Sequence, residues 1–222
     1  MMQRSEALIL DFDGTIIDTE WPIFMATNAI YEEYGLAPIA LEMWQETIGI
    51  ADHEQEHDFL GRVIDQVRNV TREQLRAECL VHRDRLMAAE AIRPGIAEWI
   101  DAASTAGITI GVASSSTPEW VNGNLERLDL SRFMKVVAAT GEGQRGKPAP
   151  DVYLRACAGL GVDPSLALAI EDSPPGLQSA LAAGMGCITV PNRITTALTF
   201  DGSVEHVHSL ADLDPAQWLA ID

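Results

Sequence analysis

Two carboxylates one residue apart, Asp11 and Asp13, end the first apolar run of the chain, Ala7 to Leu10, with only Phe12 between them and Gly14 directly after. The run reads as a buried strand, and the glycine breaks it. Side chains alternate along a strand, so both acids are expected on one face at its carboxyl end. Like charges held that close need a cation or a shared proton. Asp-Gly is also ordinary turn chemistry, so the pair takes its meaning from what else the chain brings to the same edge.

Three more polar clusters follow apolar strands. Ser114-Ser115-Ser116 follows the predicted strand 108–113, and Glu171-Asp172-Ser173 follows 166–170. Lys147 stands in Gln144-Arg145-Gly146-Lys147-Pro148-Ala149-Pro150-Asp151, between a strand and a helix. The chain has only two lysines, Lys135 and Lys147, against 13 arginines. A compact ammonium suits a phosphate or a carboxylate cluster; a solvated loop lysine is the alternative for this segment taken alone. Four carboxylates, Asp11, Asp13, Glu171 and Asp172, cannot all ionise close together without a cation. An oxygen-only set without His or Cys suits Mg²⁺. Lys147, the Ser114 hydroxyl and backbone N–H groups of Ser115-Ser116 can hold a tetrahedral anion. Such a site can perform phosphoryl transfer. The metal and Lys147 neutralise phosphate oxygens while one carboxylate attacks in line. A second acid two residues on protonates the leaving oxygen and then activates water.

The elements that must position these groups fall into two regimes. Residues 20–92 show helical periodicity and no strand pattern. Helices are expected from Thr19-Glu20-Trp21-Pro22 to about Tyr34, over 41–47, over 53–69 and over 71–90, the last with a Thr71/Gln74 capping box. After Pro94 the chain alternates. Helices are expected at 95–106, 117–128, 151–160 and 176–183, and strands at 108–113, 135–139, 166–170 and 187–190. Apolar strands alternating with helices imply a parallel sheet covered on both faces. The fold class is therefore α/β, a doubly wound parallel-sheet core of residues 1–19 and 93–222 with an all-helical cap inserted over 20–92. In such sheets ligands bind at the carboxyl ends of the strands, where every cluster above lies.

Composition limits the partners. The chain has 222 residues, 47% of them hydrophobic, with 15 basic and 33 acidic residues and a formal charge of -18. That charge disfavours nucleic acid and anionic membrane surfaces. Cys79, Cys157 and Cys187 are odd in number and form no CxxC pair, which suits reduced thiols. No signal peptide or membrane-spanning run is expected, and the localisation expected is cytoplasmic. Oligomeric state is not legible.

The motifs together resemble the haloacid dehalogenase superfamily, in its helical-cap phosphatase branch near β-phosphoglucomutase and phosphoglycolate phosphatase. They stand in family order: Asp11-Phe12-Asp13-Gly14-Thr15, then Val112-Ala113-Ser114-Ser115, then Gly146-Lys147-Pro148-Ala149-Pro150, then Glu171-Asp172-Ser173-Pro174-Pro175-Gly176. The resemblance implies Asp11 as a nucleophile forming an aspartyl-phosphate, and Asp13 as acid/base with its main-chain carbonyl on Mg²⁺. It implies Ser114, Ser115 and Lys147 as phosphate binders. Asp172 and Glu171 become metal ligands, directly or through water, and Thr15 orients the Asp loop. The expected reaction is hydrolysis of a small phosphorylated metabolite. Asp13 argues against a dehalogenase, since a halide needs no proton.

In the cap the chain departs from the mutase relative, which has a His where Ile23 stands and a phosphate-binding Arg about where Asp52 falls. Both departures disfavour a mutase. Residues 20–92 contain no lysine, which argues against a phosphonoacetaldehyde hydrolase. A phosphomutase and a non-catalytic sensor of a phosphorylated ligand remain the alternatives. Trp44, Asp52 and His53 are the candidates for cap specificity. Trp21 and Trp99 read as helix packing, and Arg62, Arg68, Arg72 and Arg76 as a solvated face.

Overall fold

The computed structural model describes residues 5–48, 58–141 and 144–221. Strand β1 (Ala7–Leu10) is buried along its whole length. It lies between β2 (Thr109–Ser114) and β4 (Ala167–Glu171) in a parallel sheet completed by β3 (Met134–Ala139), β5 (Gly186–Thr189) and the short β6 (Glu205–His206). The order is β3-β2-β1-β4-β5-β6. From β1 the chain winds to one side through β2 and β3, then crosses back to β4 and continues outward. The crevice between β1 and β4 is thus the switch point of a doubly wound sheet. Leu10 is in register with Val112 on one side and Ile170 on the other. The residues after these three strands therefore emerge at one edge.

The period of two along β1 divides the core. Leu8 and Leu10 pack on one face with Trp99, Ile100 and Val121. Ala7 and Ile9 pack on the other with Val152, Tyr153 and Leu177. Each expected strand and helix of this half appears within two residues of its expected bounds. The helices are α5 (Ile96–Thr105), α6 (Pro118–Arg127), α7 (Asp151–Leu160) and α8 (Pro174–Ala182). Helix α8 starts two residues earlier than expected. Ser173 caps it, accepting from the Gly176 N–H at 3.2 Å, and Pro174 and Pro175 fill the first turn, where no N–H is needed.

Between Glu20 and Met87 the described elements are helices: α1 (Glu20–Glu33), α2 (Leu41–Gln45), α3 (Phe59–Gln66) and α4 (Arg72–Met87). Helix α3 is shorter than the expected 53–69. Asp58 caps it through the Gly61 N–H at 2.8 Å, and it ends before Asn69, whose φ of 64° is left-handed. Residues 53–57 lie outside the described residues. The Thr71/Gln74 capping box forms, with the Gln74 N–H on Thr71 Oγ1 at 3.2 Å and the Thr71 N–H on Gln74 Oε1 at 2.9 Å.

These helices share an apolar cluster of Phe24, Ile30, Tyr31, Trp44, Phe59, Val63 and Leu75. Ile194, from the segment after β5, joins it, and its carbonyl accepts from Gln45 Nε2 at 2.6 Å. The chain enters and leaves the helical segment side by side: Ile17 bridges Ile92, and the Arg93 N–H reaches the Ile16 carbonyl at 2.9 Å. Among the described residues no helix is long and apolar enough to cross a membrane.

Candidate active site

The site starts from a buried lysine. Lys147 is 4% exposed. Its Nζ contacts Asp11 Oδ1 and lies 2.6 Å from Glu171 Oε1, over the Tyr153 ring at 5.2 Å. Both carboxylates raise the lysine above its ordinary pKa despite burial, so it is a fixed cation. Glu171 is fully engaged. Its Oε1 also accepts from Tyr153 OH at 2.7 Å, and its Oε2 from the Asp172 N–H at 3.1 Å and Ser173 Oγ at 3.3 Å. Asp11 is not. Its Oδ2 is buried and has no hydrogen-bond partner.

Asp172 sits beside this pair. Thr15 Oγ1 donates to its Oδ1 at 3.2 Å and Asn192 Nδ2 to its Oδ2 at 2.7 Å. Carboxylate oxygens of Asp11, Glu171 and Asp172 all lie within 4.8 Å of one another. Burial pushes Asp11 up to about 7, against the pull of Lys147, and pushes Asp172 well above the usual carboxylate range. A cation bridging Asp11 and Asp172 would reverse both shifts. The oxygen-only donor set and the orphaned Asp11 Oδ2 fit Mg²⁺. Glu171 already has its oxygens engaged by Lys147, Tyr153, Asp172 and Ser173.

The sequence expectation brings four carboxylates together; the structure brings three. Asp13 faces the same site, close enough for its charge to add to the rise at Asp11, but it is outside the group of three whose oxygens lie within 4.8 Å. The Asp13 carboxylate is held apart from the acidic cluster. Its Oδ2 accepts from Ser116 Oγ at 2.6 Å and Ser114 Oγ at 3.3 Å, and its Oδ1 from Trp120 Nε1 at 2.8 Å. Ser114 Oγ also accepts from the Ser116 N–H at 3.0 Å, and Ser115 Oγ accepts from the Lys147 N–H at 3.1 Å. That last bond ties the β2 loop to the lysine loop.

Gly14 explains the tight Asp loop. Its φ is 84°, and a Cβ there would collide with the carboxylate of Asp172 and the amide of Asn192. Arg93 braces the same loop, donating to the carbonyls of Gly14, Val190 (2.9 Å) and Pro191 (2.8 Å). Burial lowers its pKa, countered first by Asp172.

A cavity of about 500 Å³ opens over these groups. Asp11, Asp13, Ser114, Ser115, Lys147 and Asp172 line its floor; Glu20, Ile23, Trp44, Thr47, Ile48 and Arg83 line it from the helical segment. Burial, then the charges of Asp13, Asp18 and Asp11, raise Glu20 to about 8. Trp44 stacks on Phe59 (5.1 Å between centroids), and its buried indole N–H has no partner. Asp52 and His53 lie outside the described residues. Sequence reasoning missed Trp120, Tyr153, Asn192, Arg93 and Arg83. Only Arg93, next to Pro94-Gly95 at the change of regime, carried a positional signal.

Comparisons with known proteins bear on the family and the fold. YhcW of Bacillus subtilis, named as a candidate phosphatase, is 37% identical over 212 residues, covering 95% of this chain and 94% of that protein. CbbY of Rhodobacter capsulatus is 32% identical over 212 residues, covering 89% and 90%. The crystal structure of CbbY from Rhodobacter sphaeroides in complex with xylulose-1,5-bisphosphate superposes with a TM-score of 0.75 at 28% identity, covering 94% of this chain and 96% of that one. The family described as haloacid dehalogenase-like hydrolase matches residues 8–190, from within β1 to just past β5, and the chain belongs to it.

Proposed function

We propose that the protein is a Mg²⁺-dependent phosphatase that hydrolyses a small phosphorylated carbohydrate through a phosphoryl group carried on Asp11. The observation that carries this reading is the asymmetry of Asp11. One oxygen is pinned by Lys147, while the other is buried and unpartnered, in a residue that lines the cavity with Asp172. The unpartnered oxygen is left for the cation, and a desolvated carboxylate held in place by Lys147 is suited to nucleophilic attack. Lys147, Ser114 and Ser115 hold the phosphate; Asp13 serves as acid and then base. Asp11, Asp172, the Asp13 main-chain carbonyl and, through water, Glu171 hold Mg²⁺, with Thr15 orienting Asp172. The bound Mg²⁺ supplies charge neutralisation of the phosphate oxygens.

Residues 20–92 act as a cap over a core of 1–19 and 93–222, closing to exclude water. Trp44, Asp52 and His53 are assigned to substrate selection. A carbohydrate is supported by the cavity, large enough for a sugar phosphate, and by the sugar bisphosphate bound to CbbY. Hydrolysis is favoured over mutase chemistry because Ile23 lines the cavity where a proton-relaying His would stand. The free thiols of Cys79, Cys157 and Cys187 suit a cytoplasmic setting.

The test is phosphate release from a panel of sugar phosphates, with Mg²⁺ and with EDTA. Metal-dependent release with one preferred sugar phosphate is expected. Isomerisation of a sugar phosphate primed by a bisphosphate, without net release, would assign a mutase. Binding without turnover would assign a sensor.

A further inference from the structure

Trp120 is the group on Asp13 that no motif marks, and we propose that it is a positioning residue for this acid/base, held in place by Arg83 of the helical segment. The proposal rests on the phosphatase reading above. In that reaction an oxygen of Asp11 attacks phosphorus, and the phosphorus–alkoxide bond breaks with its electron pair on the leaving oxygen. That oxygen takes the proton of Asp13. The Asp13 carboxylate then takes a proton from water, whose oxygen attacks phosphorus and frees Asp11. Asp13 must therefore face the leaving group at a fixed angle in both steps.

Three donors reach the Asp13 carboxylate, and they are not equivalent. The hydroxyls of Ser114 and Ser116 rotate and can donate or accept. The indole of Trp120 can only donate, and does so to Oδ1 at 2.8 Å. It therefore fixes which oxygen faces α6 and leaves Oδ2 to the two serines. The indole is itself held at both ends. Its backbone sits in the first turn of α6, where the Trp120 N–H meets the capping Thr117 Oγ1 at 3.4 Å and Pro118 stiffens the start. Its ring lies under the Arg83 guanidinium, 4.8 Å from the centroid, within the range of a cation–π contact. Arg83 belongs to α4 and lines the same cavity. The ring is thus a joint between the helical segment and the acid/base, and a cap that moves away loosens Asp13.

The test exploits leaving groups. p-Nitrophenolate departs without a proton, whereas phenolate and alkoxides need one. We expect Trp120→Phe, which keeps the ring for Arg83 but removes the N–H, to lower kcat/KM for phenyl phosphate about tenfold more than for p-nitrophenyl phosphate, with KM little changed. In an Asp13→Asn background the same substitution should cost less than about twofold, because no acid remains to be positioned. Equal losses on both substrates, or the full loss in the Asn background, would make Trp120 a packing residue and overturn the proposal. If Trp120→Phe does not fold, a benzothienyl-alanine at position 120 keeps the bicyclic shape without the N–H and must give the same selective loss. Mg²⁺-dependent turnover of p-nitrophenyl phosphate by the unaltered protein tests the phosphatase reading separately; its absence overturns both.

Discussion

Replacing Lys147 by Met isolates the buried ion pairs at the centre of the site. Methionine keeps most of the stem but removes the ammonium. Asp11 then loses its hydrogen-bond donor, because its other oxygen has none. Glu171 keeps Tyr153 OH, the Asp172 N–H and Ser173 Oγ, so the cost falls mainly on Asp11. Removing one partner of a buried pair costs about 3–5 kcal/mol. For a chain of this size that lowers Tm by about 6–20 °C, at roughly 2–4 °C per kcal/mol. The cost depends on pH. Burial already raises Asp11 to about 7 with the lysine present, and without it the group rises further. Below that value Asp11 is protonated, and the missing cation matters less. Thermal unfolding in EDTA should therefore show a large Lys147→Met deficit at pH 8 that shrinks toward pH 6. Added Mg²⁺ should recover part of it. A deficit below about 1 kcal/mol at pH 8, or one that grows as pH falls, would refute the reasoning.

Other predictions follow from the same geometry. In EDTA the unaltered protein should lose stability as pH rises from about 4 through about 7, since the folded state binds a proton on Asp11 that the unfolded chain, with an ordinary carboxyl, has released. Mg²⁺ should consequently stabilise more at pH 8 than at pH 6, which calorimetry at the two values checks. Gly14→Ala places a side chain at φ 84° and against Asp172. It should cost at least about 1–3 kcal/mol and weaken Mg²⁺ binding, as read by a metal titration. Trp44→Phe keeps the stack on Phe59 and deletes the unpartnered N–H. No hydrogen bond is lost, so thermal unfolding should show only the packing cost of the smaller ring, about 1–2 kcal/mol.

What was legible in the sequence is what lies at strand ends. Asp11, Ser114 and Glu171-Asp172 each follow an uninterrupted apolar run, and parallel strands in register deliver such residues to one edge. Lys147 needed the tertiary structure to show that it is buried between two carboxylates rather than solvated. Asp13 lines the same cavity as Asp11, but its carboxylate takes Ser114, Ser116 and Trp120 as donors and stays outside the cluster of three acids. Trp120 and Tyr153 were illegible for another reason. Each sits on a helix face where an aromatic residue reads as packing, and a single polar atom gives it a second task. Asn192 and Arg93 act across the fold, on Asp172 and on the Gly14 carbonyl, from positions with no local pattern. Asp52 and His53, read from the sequence as specificity positions, lie outside the described residues.

The central claim is a covalent phosphoryl group on Asp11, and trapping it is the direct measurement. The protein is mixed with its preferred sugar phosphate and Mg²⁺, quenched in acid within milliseconds, digested and analysed by mass spectrometry. The account predicts a phosphoryl adduct on the peptide carrying Asp11, absent in EDTA and in Asp11→Asn. Turnover with no adduct under any quench time, or continued turnover by Asp11→Asn, would contradict it.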